Sequence, residues 1–215
     1  MITNLAASVD SFTSNVFYVA GERPVLVDPG ANFDIVSKLA DHEPPEAVVL
    51  THAHPDHVGN LDAVVDAFDV EVWGFDPEHE AIEGIRENLG QSMGSIENAM
   101  DAIDHPLRDG DRIQIGDHEY VALYTPGHSP DHLCFYAEEP AILFAGDLIF
   151  QNGGFGRTDL PGADRATLIE SVDHVLNTVD DDLRAMHVGH GPSVEAEPYS
   201  HIELAAQAAR MAGGR

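Results

Sequence analysis

The chain has 215 residues, 43% of them hydrophobic, with 38 Asp plus Glu against 10 Lys plus Arg and a formal net charge of −28. That length suits a single domain over 1–215 with a substantial core, and no apolar run approaches the ~18 residues a membrane span needs. So acidic a surface repels phosphate backbones, which disfavours nucleic acid as a partner, because such binding depends on Lys and Arg releasing counterions.

The acidic excess fits a salt-rich cytoplasm and a halophilic host: at molar salt the Debye length falls to about 3 Å and carboxylates that would repel one another are tolerated. The opening stretch "MITNLAASVDSF" carries neither the basic n-region nor the continuous apolar h-region of an export signal, so a cytoplasmic location is expected. Cys134 is the single cysteine and lies among strand formers in "HLCFY", which excludes an internal disulfide or CxxC site and reads as core packing.

In chain order, "SNVFYVA", "RPVLVDPG" and "EAVVLTH" read as short strands, with a helical stretch around Phe33 to Asp41 before the third. Val58, Leu61, Val64 or Val65 and Phe68 then follow helical spacing, and Pro55 suits a first helical turn. "VEVWGF" is predicted as a strand, and residues from about Pro77 to Ile103 as helices of uncertain extent forming a lid or substrate-facing insertion. "DRIQIGD" and "EYVALYTPGH" read as a hairpin, "DHLCFYA" and "PAILFAGD" as further strands, followed by the glycine-rich "QNGGFGRTDLPGAD". A helix from Arg165 to Asn177, the strand "LRAMHVGHG" and a helix from Tyr199 to Met211 complete the series. Strands in both halves with helices attached predict an α+β fold, two sheets face to face with helices outside.

The densest chemistry lies at a predicted strand-to-helix junction, "THAHPDHVGN", residues 51–60. His52 and His54, two apart on an extended segment, can converge on one ion where the chain bends at Ala53, while Asp56 and His57 on the first helical turn point elsewhere. A single tetrahedral ion does not collect all four; two ions do. His128 in "TPGHS", Asp147 in "FAGDL" and His190 in "VGHGP" each stand where an apolar strand runs out, the kind of place where a rigid scaffold presents functional groups. Imidazole and carboxylate are ligands for zinc, iron or manganese, and the lack of thiolates argues against a closed structural zinc site. Asp147, with two oxygens, can bridge ions ~3.5–4 Å apart, with His128 and His190 completing the shells.

The series HxHxDH, PGH, GD and GHG resembles the metallo-β-lactamase superfamily over most of the chain. The resemblance implies a four-layer αβ/βα sandwich of two mixed sheets flanked by helices, with a dinuclear centre. It assigns His52, His54 and His128 to one metal, Asp56, His57 and His190 to the other, and Asp147 to the bridge. Asp28, in a "VDPG" turn matching the family, is then a support for the ligand loop, and Thr51 reads as a buttress of the same loop. His132, His174 and His187 are not placed by the motif and read as structural residues or supports of the ligands; His187 could compete with His190, but the "GHGP" context favours His190. His42, His79, His105, His118 and His201 are read as surface residues.

"GRTDLPG" after "GD", with "GHGP", most resembles glyoxalase II-like hydrolases, in particular short forms without the C-terminal helical substrate region. This implies hydrolysis of a small-molecule 2-hydroxyacyl thioester at a centre of two divalent ions, zinc foremost, by a metal-bridging hydroxide that Asp56 orients. The thiol carrier stays open, because the chain has one lysine and few other cations: Arg157, Arg86 and Arg108 are the candidates to meet a substrate carboxylate. Arg157 reads equally as a partner of Asp159. The alternative is a persulfide dioxygenase with one iron at His52, His128 and Asp147. A β-lactamase is disfavoured by Asp56 and the lack of a cysteine ligand, and a non-catalytic metal-binding module ranks last.

Overall fold

Three short, wholly apolar segments in the first third of the chain become buried strands: every residue of Phe17–Val19, Val25–Val27 and Ala47–Val49 is buried. The computed structural model describes residues 1–76, 78–79 and 99–212. Contacts divide the chain into two units, Met1–Leu107 with Ile113–Glu119, and Arg108–Arg112 with Tyr120–Arg215.

In the first unit β1 (Ile2–Asn4), β2 (Phe17–Val19), β3 (Val25–Val27), β4 (Ala47–Val49), β5 (Glu71–Phe75) and β6 (His105–Leu107) lie in chain order in a six-stranded sheet. The first two pairings are antiparallel and the rest parallel. Helix α1 (Ile35–Leu39) starts where the Asp34 carboxylate accepts the Ser37 N–H at 3.0 Å, the side-chain cap that an exposed helix start needs. It packs on α3 (Leu61–Ala67).

The helical spacing expected from Val58 to Phe68 is interrupted. Helix α2 (Pro55–Val58) stops at Gly59, and α3 begins after Asn60. A Cβ at Gly59 would lie 2.7 Å from Ala31 Cβ and 2.7 Å from the Pro55 carbonyl oxygen, so only glycine allows this approach. Strands β1 and β6 were not expected. β6 holds Pro106, tolerated because β6 is an edge strand and an edge has ladder positions that need no donor. Most of the expected lid, Pro77 to Ile103, lies outside the described residues; its end is helical at 99–101, with Ala99 and Met100 buried.

The single tryptophan lies in β5, opposite His105 of β6. Trp73 stacks on His105 with centroids 4.2 Å apart, the Arg23 guanidinium stands 5.1 Å over the ring, and Glu71 accepts from Arg23 at 2.7 Å.

The second sheet is five-stranded, in the order β11 (Ala185–Val188), β10 (Ile142–Gly146), β9 (Leu133–Ala137), β8 (His118–Tyr124), β7 (Arg112–Ile115). β8, β9 and β10 are antiparallel neighbours, while β10 and β11 are parallel. The β10–β11 connection carries α4 (Arg165–Thr178), capped by Asp164 accepting from Thr167 N–H at 2.8 Å, and α5 (Pro198–Ala212) packs against α4. Leu168, Val172 and Val175 on α4 and Ile202, Ala205 and Ala209 on α5 close a core with Leu143, Ala145 and Met186. The class is therefore the expected one: α+β, two mixed sheets with flanking helices. No helix among the described residues is long and apolar enough to cross a membrane.

Candidate metal centre

In the first unit the ligand motif leaves β4 through Leu50, whose N–H donates to the Trp73 carbonyl, and enters α2 at Pro55. Asp28, at the end of β3, holds a left-handed backbone (φ 52°), uncommon for a residue with a side chain and maintained here by its carboxylate bonds. Its Oδ1 accepts the Thr51 N–H at 2.8 Å, and its Oδ2 accepts the Thr51 hydroxyl at 2.7 Å and His57 Nδ1 at 2.8 Å. All of these groups are buried.

These bonds decide the tautomers. A carboxylate only accepts, so His57 carries its proton on Nδ1 and leaves Nε2 basic. Thr51 has given its proton to Asp28, so its oxygen accepts from His52 Nδ1 at 3.1 Å, which leaves His52 Nε2 basic as well. That Nε2 faces His54 Nδ1 at 2.9 Å. A ligand atom of His52 lies within 4.8 Å of one on His54 and of one on His57, and His57 stands equally close to an Asp56 oxygen. The Asp56 carbonyl accepts the Ser14 N–H at 3.0 Å, tying the motif to the loop before β2.

The second unit assembles the other three expected ligands. A bulge between Phe144 and Gly146 shifts the β10–β11 register, and Gly146 takes φ 47°, so the chain turns as it delivers Asp147. His128 Nε2 and His190 Nε2 each stand 3.5 Å from Asp147 Oδ2. His128 Nδ1 donates to the Arg157 carbonyl at 2.9 Å, again leaving Nε2 basic. His190 follows β11 past Gly189, whose N–H donates to the Gly146 carbonyl at 2.8 Å. Gly156 lies directly behind: a Cβ there would stand 2.2 Å from the Asp147 carbonyl oxygen and 2.8 Å from His128 Cβ.

Other expected residues take different places. The exposed Arg157 guanidinium grips Asp159 through two 2.9 Å bonds, which raise the arginine pKa and lower that of the aspartate, while its carbonyl holds His128. Arg108 is exposed, and Arg86 lies outside the described residues. His187 is buried beside Ser193 Oγ at 2.9 Å, stacks on Phe144, and has its pKa pushed down to about 4 by burial. His174 meets Asp109 at 3.2 Å. Three of the residues read as surface do structural work: His42 packs on Tyr18, His105 stacks on Trp73, and His201 Nδ1 accepts the Asn152 N–H at 2.7 Å. Cys134 is fully buried, and burial lifts its thiol pKa to about 12, consistent with packing. Sequence reasoning passed over Gly156 and the Arg157 carbonyl; glycine density in "GGFG" was the only signal of either.

The donor set suits divalent ions. His52, His57 and His128 each spend Nδ1 on an oxygen and keep Nε2 as a lone-pair donor, the arrangement that fixes metal-binding imidazoles, and Asp56 and Asp147 supply carboxylates. The family pattern described as the metallo-β-lactamase superfamily matches residues 9–196. The chain belongs to that superfamily.

This superfamily member is 31% identical over 181 residues to a Bacillus subtilis protein named probable metallo-hydrolase YqgX, covering 83% of this chain and 85% of the relative. It is also 31% identical over 178 residues to the hydroxyacylglutathione hydrolase GloC of Haemophilus influenzae, covering 79% and 81%. Among solved structures, TTHA1623 in a di-iron-bound form matches with a TM-score of 0.69 at 32% identity, over 97% of this chain and 96% of that one.

Proposed function

We propose that this superfamily member is a hydrolase of small 2-hydroxyacyl thioesters, such as S-lactoyl thiols, working with two divalent ions, zinc foremost. His52, His54 and His128 would hold one ion and Asp56, His57 and His190 the other, with Asp147 shared. The observation that carries the reading is the fixed tautomer of His52, His57 and His128, each set by an oxygen at Nδ1 so that a basic nitrogen is presented without reorganisation. The similarity to a hydroxyacylglutathione hydrolase supports the substrate class.

Bound ions supply Lewis-acid polarisation of a carbonyl and a water nucleophile ionised near neutral pH. The protein supplies alignment. Asp28 holds both Thr51 and His57, so one carboxylate orients two imidazoles. Asp56, half-buried on the first turn of α2, would hold an ion and orient the nucleophilic water. The leaving group is a thiolate of pKa about 8.5, which departs without a proton donor, so the reading needs no general acid. Arg157 lies on the surface beside Asp159 and can exchange that partner for a substrate carboxylate.

The test is metal stoichiometry by plasma mass spectrometry together with thiol release from S-lactoyl thioesters and oxygen uptake with a persulfide. Two metals and thiol release without oxygen uptake support the reading. One iron with oxygen consumption overturns it in favour of a dioxygenase.

A further inference from the structure

His132 is fully buried and belongs to no expected ligand set, yet its ring stands edge-on to His128, with centroids 6.4 Å apart and planes at 87°. Its Nε2 lies 3.0 Å from the main-chain nitrogen of Asp147. A backbone N–H can only donate, so His132 Nε2 accepts and its proton sits on Nδ1. Nδ1 in turn donates to Thr125 Oγ1 at 2.8 Å. Thr125 passes its own proton toward the Leu123 carbonyl or Cys134 Sγ, both at 3.4 Å, and its N–H donates to the His132 carbonyl at 2.9 Å. The chain therefore has one direction, from Asp147 N–H through the ring to Thr125, and each of those groups is buried.

The register brings the ring to this place. β9 and β10 pair antiparallel with Phe135 opposite Phe144, and continuing that register by three residues sets His132 opposite Asp147. The bulge past Phe144 in the β10–β11 pairing and the positive φ of Gly146 mark the end of regular strand just before Asp147. The His132 carbonyl is taken by the Thr125 N–H on the β8 side, so the main chain of His132 is turned away from Asp147 and its imidazole supplies the acceptor for the Asp147 N–H.

We propose that His132 is a positioning residue: by holding the Asp147 main chain it fixes the carboxylate that His128 and His190 face, and so sets the affinity of the centre for metal. The inference rests on the proposed metal centre. Two substitutions separate the acceptor from the packing. In His132→Gln the side-chain oxygen reaches about as far as Nε2 and keeps an acceptor for Asp147. In His132→Asn the shorter amide reaches only the Thr125 side. Both lose the ring.

Hydrogen exchange at the Asp147 amide, measured without metal, should quicken in His132→Asn and stay slow in His132→Gln. Metal affinity, read by competition with a chromophoric chelator and by the visible spectrum of the cobalt-loaded protein, should fall roughly 10- to 100-fold in His132→Asn and recover in His132→Gln, the range seen when a group supporting a ligand is removed. Equal affinity in the wild type and both variants overturns the inference. So does equal loss in both variants, which would make the ring's bulk the cause. Wild-type uptake of two metals is the control for the proposed function. A wild type that binds none overturns that function and the metal part of this inference together, while slow exchange at Asp147 in His132→Gln and fast exchange in His132→Asn would still establish the anchor.

Discussion

Asp28 Oδ2 lies 2.8 Å from His57 Nδ1 and 2.7 Å from Thr51 Oγ1, so a single carboxylate oxygen governs the protonation of two imidazoles, His57 directly and His52 through the threonine hydroxyl. Asp28→Asn places an amide donor where an acceptor is needed. If that donor turns toward His57 Nδ1, the His57 proton moves to Nε2, the nitrogen meant for metal. Metal affinity should fall roughly 10- to 100-fold, and stability should drop by about 1–3 kcal/mol as buried groups lose partners. A chelator competition and a denaturant melt check both, and unchanged metal affinity would disconnect Asp28 from the centre.

Gly156→Ala sets a methyl against the Asp147 carbonyl oxygen and the His128 side chain. Neither neighbour is the loose end of a flexible chain. Overpacking of this kind costs about 1–3 kcal/mol, and displacement of two ligand positions should weaken metal uptake as well. Wild-type metal content at a lowered melting temperature would show that the loop absorbs the methyl by itself.

His187 makes stability depend on pH. Its folded pKa of about 4 lies below the ordinary value of 6.5, because burial penalises the charged form. Above pH 6.5 neither state binds the proton and the full stability is present. As pH falls from 6.5 towards 4 the unfolded chain takes up the proton first, so stability declines, by up to about 3 kcal/mol for a shift of this size. Urea melts between pH 7 and pH 4 should show this slope in the wild type and a shallower one in His187→Gln.

Arg157→Ala removes only an exposed pair, so the melting temperature should hold. KM for a thioester carrying a carboxylate should rise several-fold with kcat little changed, while a neutral thioester is unaffected. Equal kinetics on both substrates would leave the guanidinium as Asp159's partner alone.

The formal charge of −28 predicts a melting temperature that climbs steeply between dilute buffer and multimolar KCl, as screening relieves carboxylate repulsion. A flat response would remove the halophilic reading.

Much of this was legible in the chain because the ligand motifs are local. His52, His54, Asp56 and His57 fall within six positions, and apolar strands such as Val25–Val27 and Ala47–Val49 announce themselves by composition. What escaped depends on pairing across distance. That His132 meets the Asp147 N–H follows from the β9–β10 register and a bulge, neither of which leaves a pattern in either segment. The break between α2 and α3 falls at Gly59, where Ala31, far back in the chain, comes so close that a side chain would not fit. β6 was hidden by Pro106, a residue that argues against a strand until its edge position is known.

The stack of Trp73 on His105 has a practical use in the study of folding. Trp73 is the one tryptophan, and it lies in the first unit, whereas Tyr120, Tyr124, Tyr136 and Tyr199 all lie in the second. Red-edge excitation therefore gives an optical signal from the first unit alone, with the second dark. A melt followed by that emission and, in parallel, by far-ultraviolet circular dichroism distinguishes two cases by coincidence of the curves. If they superpose, the halves of the ligand set are lost in one cooperative step; if the emission moves first, the HxHxDH half comes apart while the half bearing Asp147 still stands.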